Sequence, residues 1–169
     1  IQGNYLLIDN ATGQFVASMD GTELTRRRTA AASAMAATYL ARKDAATHLI
    51  IGAGSLALHF ARAHASVRPI TRTLIFNRTP ARAEVVASEL SGSGMMAAVA
   101  PSLEQAVREA DIISGITPST EALVKGAWLK PGTHLDLAGA YRPDMRETDA
   151  EAVARSRVYV DTRAGAGHE

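Results

Sequence analysis

Apolar and polar positions follow two regimes along the chain, with the change near Asp44. Before it, residues 4–9 and 14–19 flank Asn10-Ala11-Thr12-Gly13, which predicts a β-hairpin ending at Asp20-Gly21. Leu24 to about Arg42 is alanine-rich, contains no glycine or proline, and predicts one long helix. Its small residues Ala30, Ala31, Ala34, Ala37 and Ala41 allow a close neighbour. After Asp44, short continuous apolar runs alternate with helical stretches. Strands are predicted at 47–51, 73–77, 95–99, 111–116, 133–138 and 157–161, and helices at 55–65, 80–91, 102–109 and 147–155. The 95–99 run, Met-Met-Ala-Ala-Val, fits a helix as well. Strands that are apolar without alternation suit a sheet buried on both faces, which points to parallel pairing.

The first of these strands runs straight into Gly52-Ala53-Gly54-Ser55-Leu56-Ala57, a Gly-x-Gly-x-x-Ala turn opening a helix. Gly52 permits the tight turn, Gly54 lets backbone approach a pyrophosphate, and Ala57 allows close helix–strand packing. The new helix's free N–H groups would face the anion. Glycine pairs also mark ordinary turns; the strand before, the helix after and the end of the second strand favour a nucleotide site. The fold class expected is α/β, a Rossmann-like doubly wound, mostly parallel sheet. The boundary between the hairpin-and-helix part and this α/β part falls near Asp44.

In such folds the second strand usually ends at an acid that binds the ribose 2′-hydroxyl. Here it ends Asn77-Arg78-Thr79, with Arg82 one turn on. A carboxylate would repel a 2′-phosphate, whereas a guanidinium clamps it with charge-assisted bonds. NADP(H) is therefore expected ahead of NAD(H). The competing reading of Arg78 is a solvated loop charge.

Composition narrows the classes. The 169 residues are 47% hydrophobic and 21% charged with net charge +1, so no nucleic-acid partner or anionic membrane surface is indicated. Without cysteine there is no disulfide, thiolate metal site or cysteine nucleophile. No apolar run reaches the ~20 residues of a membrane span and no secretory signal is visible, so the cytoplasm is the default. The chain opens Ile1-Gln2-Gly3 and closes Gly167-His168-Glu169, and reads as part of something longer.

Other candidates carry less. The five histidines are scattered without metal-ligand spacing. His134 reads as structural or at the cofactor edge, and Asp136, inside a strand, as a hydrogen-bonded buried acid. Glu147 and Asp149 read as supports for the start of the last helix, with a pocket role open for Glu147. Ser114 and Ser119 have no adjacent base, and Trp128 reads as packing. Arg28, beside Arg26 and Arg27, reads locally as a helix-surface charge.

Taken together, several runs resemble the ornithine cyclodeaminase/mu-crystallin family. They are Leu24-Thr25-x-x-Arg28-Thr29-Ala30-Ala31-x-Ser33-Ala34, Ile51-Gly52-Ala53-Gly54, Asn77-Arg78-Thr79-Pro80 and Ala110-Asp111-Ile112-Ile113. Trp128-Leu129-Lys130-Pro131-Gly132-Thr133-His134 and Gly139-Ala140-x-x-Pro143-Asp144-x-Arg146-Glu147 complete the set. They span nearly the whole chain in the family's order. The resemblance implies a homodimeric, NAD(P)-dependent enzyme of imine and amino-acid chemistry with chains roughly twice this length; residues 1–43 would be the hairpin and linking helix of a second, substrate-binding and dimerisation domain, 44–163 the cofactor domain, and 164–169 the start of a return segment. By that likeness Arg28 matches an arginine holding the substrate carboxylate beside the nicotinamide, with Thr29 near the cofactor phosphates. Gly52, Ala53, Gly54, Ser55 and Leu56 match the pyrophosphate turn, and Asn77, Arg78, Thr79 and Arg82 the 2′-phosphate site. Thr117, Pro118 and the stretch Ala138, Gly139, Ala140, Tyr141 match the nicotinamide walls. Two positions depart. Leu56 stands where many members have glutamine, and Tyr141 where the cyclodeaminases have an aspartate that takes part in their chemistry. The likeness is therefore to the ketimine-reductase branch, which reduces cyclic imines such as Δ1-pyrroline-2-carboxylate and Δ1-piperideine-2-carboxylate. The alternatives are a cyclodeaminating lyase with bound NAD and a non-catalytic, NADPH-dependent small-ligand binder.

Overall fold

The computed structural model describes residues 3–163; the return segment expected at 164–169 lies outside them. Strands β1 (Asn4–Ile8) and β2 (Phe15–Asp20) form the expected antiparallel hairpin, with Gly13 at φ +70° in its turn. Leu6, Ile8, Phe15 and Val16 all stand exposed on it.

Helix α1 (Gly21–Leu40) starts earlier than its apolar pattern implied. Asp20 is the reason: its Oδ1 accepts from the N–H groups of Thr22 (2.7 Å) and Glu23 (3.0 Å) and caps the helix. At the other end α1 carries no basic residue in its last turn. Arg68 supplies one from elsewhere, donating to the carbonyls of Ala37, Thr38, Ala41 and Arg42 at 2.6–2.9 Å. A guanidinium on unpaired C-terminal carbonyls satisfies both their hydrogen bonding and the helix dipole.

The rest is a parallel α/β unit: β3 (Thr47–Ile51), α2 (Ala57–Val67), β4 (Arg72–Phe76), α3 (Pro80–Gly92), β5 (Ala97–Val99), α4 (Leu103–Glu109), β6 (Ile112–Gly115), β7 (His134–Leu137) and α5 (Ala150–Ala154). The sheet order is β5-β4-β3-β6-β7, every pair parallel. Alternate residues of each strand feed two cores. Ile50 and Ile75 meet α1, α2 and α3 through Ala30, Phe60, Val86 and Leu90. Leu49, Ile51, Leu74 and Ile113 meet α4 through Ala106 and Val107, with Trp128 packed at the border. Burial on both faces is what the unbroken apolar strands required.

Asp111, just before β6, ties the amino-terminal edge of the sheet together. Its Oδ1 takes Arg42 Nη2 (2.7 Å) and Lys130 Nζ (2.8 Å), and its Oδ2 the N–H groups of Ala46 and Thr47 (3.0 Å each). Burial alone would raise this carboxyl; Lys130 and the two amides overcome it and hold the group down at about 2.

Two expectations are corrected and one ambiguity is resolved. Residues 157–160 form no strand: Val158, Tyr159 and Val160 are exposed and pair with nothing among the described residues. Arg-Val-Tyr-Val has strand propensity, but propensity without a cross-strand partner does not make a strand. The helix expected over 147–155 shrinks to Ala150–Ala154, because Thr148 bridges Val124 and Asp149 is the cap, accepting from Ala152 N–H at 2.9 Å. The ambiguous 95–99 run resolves as a short edge strand beside β4. No described helix is long and apolar enough to cross a membrane.

Candidate functional site

The strand order reverses direction at β3, which has β4 on one side and β6 on the other. In open parallel sheets the crevice beyond the carboxyl ends at such a point is where ligands bind. Gly52 leaves β3 there at φ +115°, its N–H bonded to Phe76 O at 2.8 Å. A Cβ at this position would lie 3.1 Å from Ile116 Cγ1, Ile116 O and Thr117 Cγ2, so only glycine fits comfortably. Ala57, at the start of α2, is fully buried, as its role in close packing requires.

Gly54 is different. Nothing lies within 4 Å of a Cβ built on it, and Gly54 and Ser55 are exposed. Helix α2 has no side-chain cap. Ala57 N–H turns back to Gly54 O and Phe60 N–H to Leu56 O, while the N–H groups of Gly54, Ser55 and Leu56 have no acceptor among the described residues. Open space over unpaired helix-terminal amides suits an anionic group such as a pyrophosphate. The fold and the turn therefore fit a dinucleotide.

At the tip of β4, Asn77 works within the protein. Its Oδ1 accepts Ala53 N–H (3.1 Å) and its Nδ2 donates to Thr79 O (2.9 Å), so it pins the glycine turn to the next loop. Arg78, Thr79 and Arg82 are exposed, and neither guanidinium makes a hydrogen bond or ion pair with a described residue. Helix α3 begins there with Pro80 in its first turn and no side-chain cap.

The far side of the crevice is made by the loops after β6 and β7. Thr117, Ala138 and Gly139 are half-buried; Pro118 and Tyr141 are exposed, with Arg142 at 6.0 Å from the Tyr141 ring centre. Glu147 was expected to support the last helix. It is instead 3% exposed and reaches both loops: Oε1 accepts Thr117 N–H (2.7 Å) and Oγ1–H (2.8 Å), and Oε2 accepts Gly139 N–H (2.9 Å). Its recurrence in the family run ending Arg146-Glu147 left a pocket role open, but no local pattern gave its path to the two loops.

Arg28 is exposed on α1 and free of partners among the described residues, with Thr29 half-buried beside it. Neither lines the open groove of about 690 Å³ where the first turn of α1 meets the glycine turn; Glu23, Arg26 and Ser55 do. Glu23 is engaged there by Arg26 (3.8 Å) and Arg27 (2.7 Å).

Ser114 requires a correction. No base is near it in sequence, yet in space its Oγ lies 2.9 Å from His48 Nε2, 3.4 Å from His64 Nε2 and 3.2 Å from Asp136 Oδ2. Asp136 also accepts Ser33 Oγ–H at 3.0 Å; it is the hydrogen-bonded acid that was expected, but half-buried rather than buried. Ser114, His48 and His64 are fully buried, so no substrate carbonyl can reach this hydroxyl. Burial, reinforced by His64 and His134, holds His48 well below the usual imidazole range and keeps it neutral. Burial likewise lowers His134, against the opposing pull of Asp136. The cluster joins α1, α2, β3, β6 and β7 as a structural polar core. Among the described residues no group of His, Asp or Glu is placed to hold a metal ion.

Known proteins share this fold. The Δ1-pyrroline-2-carboxylate reductase of Paracoccus denitrificans is 39% identical over 164 residues, covering 96% of this chain and 52% of that protein. The Thermococcus litoralis Δ1-pyrroline-2-carboxylate reductase, solved with NADH and L-proline, superposes with TM-score 0.93 at 38% identity over 99% of this chain and 52% of its own. An archaeal alanine dehydrogenase dimer with bound NAD gives TM-score 0.91 at 33% identity, with the same coverage of 99% and 52%. The chain thus spans about half the length of the relatives it matches. The sequence profile of the ornithine cyclodeaminase/mu-crystallin family matches residues 2–169. With the glycine turn, the parallel sheet and these relatives in agreement, the chain belongs to the ornithine cyclodeaminase/mu-crystallin family.

Proposed function

We propose that this chain is the dinucleotide-binding part of an NADPH-dependent reductase that converts a cyclic ketimine carboxylate to the cyclic L-amino acid, working in the cytoplasm as a homodimer. Δ1-Pyrroline-2-carboxylate and Δ1-piperideine-2-carboxylate are the substrates in view. Family membership and the reductase relatives support the reaction class. The observation that carries the cofactor choice is the β4 tip, where Arg78 and Arg82 stand unpaired at an uncapped helix start and no carboxylate opposes a 2′-phosphate. The NADH and NAD in the neighbouring structures belong to those proteins; the preference for NADPH rests on these residues.

The nicotinamide supplies hydride to the electrophilic carbon of the protonated imine. What remains for the protein is binding, alignment and exclusion of water. The amides of Gly54, Ser55 and Leu56 receive the pyrophosphate, and Asn77 keeps that turn in place through Ala53. Arg28 fixes the substrate carboxylate, for which a planar guanidinium offers a two-bond geometry that lysine lacks. Tyr141 in place of a carboxylate leaves the deaminating chemistry without its acid. Reduction of the imine requires none there.

Titration with NADPH and NADH, followed by nicotinamide fluorescence, tests the cofactor reading. NADPH should bind at least about tenfold more tightly, and Arg78→Ala should remove most of that margin while leaving NADH affinity alone. Equal affinities would refute it. Turnover of either ketimine with NADPH in the full chain tests the reaction; ammonia release from ornithine without net cofactor use would favour the lyase instead.

A further inference from the structure

Glu147 is a buried carboxylate with no cation within 4.0 Å among the described residues. Three donors hold it, and they come from two loops that are otherwise separate in the chain: Thr117 after β6 and Gly139 after β7. Space has been left for it on both sides. A Cβ on Gly115 would lie 2.9 Å from Glu147 Oε1, and one on Gly139 would lie 2.7 Å from that oxygen and 2.3 Å from Thr117 N and O. The main chain of Glu147 is fixed too, its carbonyl accepting the N–H groups of Leu123 and Val124 at 3.0 Å each. The loop it holds touches the phosphate side of the crevice, because a Cβ on Gly52 would meet Ile116 and Thr117.

A carboxylate is the group this position demands. All three of its bonds are accepted, and a neutral amide could supply an oxygen to only one side. Dinucleotides lie across the crevice, one nucleotide toward β4 and the other toward the β6–β7 side. We propose that Glu147 is a positioning residue for the nicotinamide half of the site: it sets the separation of the Thr117 and Gly139 loops without touching the cofactor. The inference rests on the dinucleotide reading above.

The test compares two ligands in the full chain: NADPH, and 2′-phospho-ADP-ribose, which lacks only the nicotinamide. Glu147→Gln turns one acceptor into an NH₂ facing an N–H, and should weaken NADPH about tenfold or more. Affinity for 2′-phospho-ADP-ribose should stay within about twofold, since Glu147 itself bonds to neither the glycine turn nor the β4 tip. Should that variant not fold, Thr117→Val removes a single donor and should give a smaller loss, about threefold, again confined to NADPH. Parallel loss of both ligands, or loss of neither, would overturn the proposal. Wild-type protein that binds no dinucleotide would overturn it together with the reading it rests on. A wild-type preference for NADH would overturn only the 2′-phosphate assignment, and the comparison would then be decided with NADH and ADP-ribose.

Discussion

Replacing Asp111 by asparagine should make the protein less stable at neutral pH and less sensitive to acid. The wild-type carboxyl sits at about 2 against an ordinary 3.8. At about 1.4 kcal/mol per tenfold in proton affinity, that gap corresponds to about 2.5 kcal/mol. Arg42 and Lys130 are 43% and 34% exposed, so screening reduces it to about 2 kcal/mol. The sign follows from linkage: a carboxyl lowered in the folded state stabilises fully above its unfolded value, and the contribution fades as pH falls from about 4 toward about 2. Asparagine cannot present two anionic acceptors to Arg42, Lys130, Ala46 and Thr47, so Asp111→Asn should cost about 2 kcal/mol or more at pH 7. Denaturant unfolding followed by circular dichroism, repeated from pH 7 to the lowest pH at which the wild type folds, reads both effects. The two stability curves should converge with acidification. Curves that stay parallel would show that the lowered carboxyl is not a source of stability, and the reasoning from its four partners would fail.

Other outcomes follow from the same geometry. Gly52→Ala should lower stability by about 2 kcal/mol, from the positive φ and the three 3.1 Å contacts of its Cβ, and an unchanged melting temperature would refute the crowding. Phe60→Ala, at a fully buried position on the inner face of α2, should cost about 3–5 kcal/mol in chemical denaturation. His48 remains neutral when folded but takes a proton when unfolded below about pH 6.5, so it removes stability as pH falls through that value. His48→Leu should flatten stability between about pH 7 and pH 5; a slope as steep as the wild type's would place the acid sensitivity elsewhere.

The parts of this molecule that lie within one βαβ unit could be read in advance. Gly52, Gly54 and Ala57 follow an unbroken apolar strand, and the Asn77-Arg78-Thr79 tip follows the next one, so spacing alone brought them to the same crevice. What escaped depends on where the chain travels afterwards. Glu147 meets Thr117 across 30 residues, and Ser114 meets His48 across 66, and no local pattern records either approach. Local preference misled at 157–160, where Val158, Tyr159 and Val160 have the right residue types but no neighbouring edge. The start of α1 is written locally as well: Asp20 followed three residues later by Glu23 is a capping signal, and it places the helix start at Gly21 rather than Leu24.

Strand order also sets a timetable for synthesis. Gly52, its Phe76 contact and the Ala53–Asn77 bond are complete once the ribosome has released the chain through α3. The opposite wall has to wait: β6 docks on the other side of β3, β7 follows, and Glu147 arrives after both. A nascent chain can therefore carry the phosphate end of the crevice well before it can close the other end. The segment that joins the two far loops arrives only after both of them.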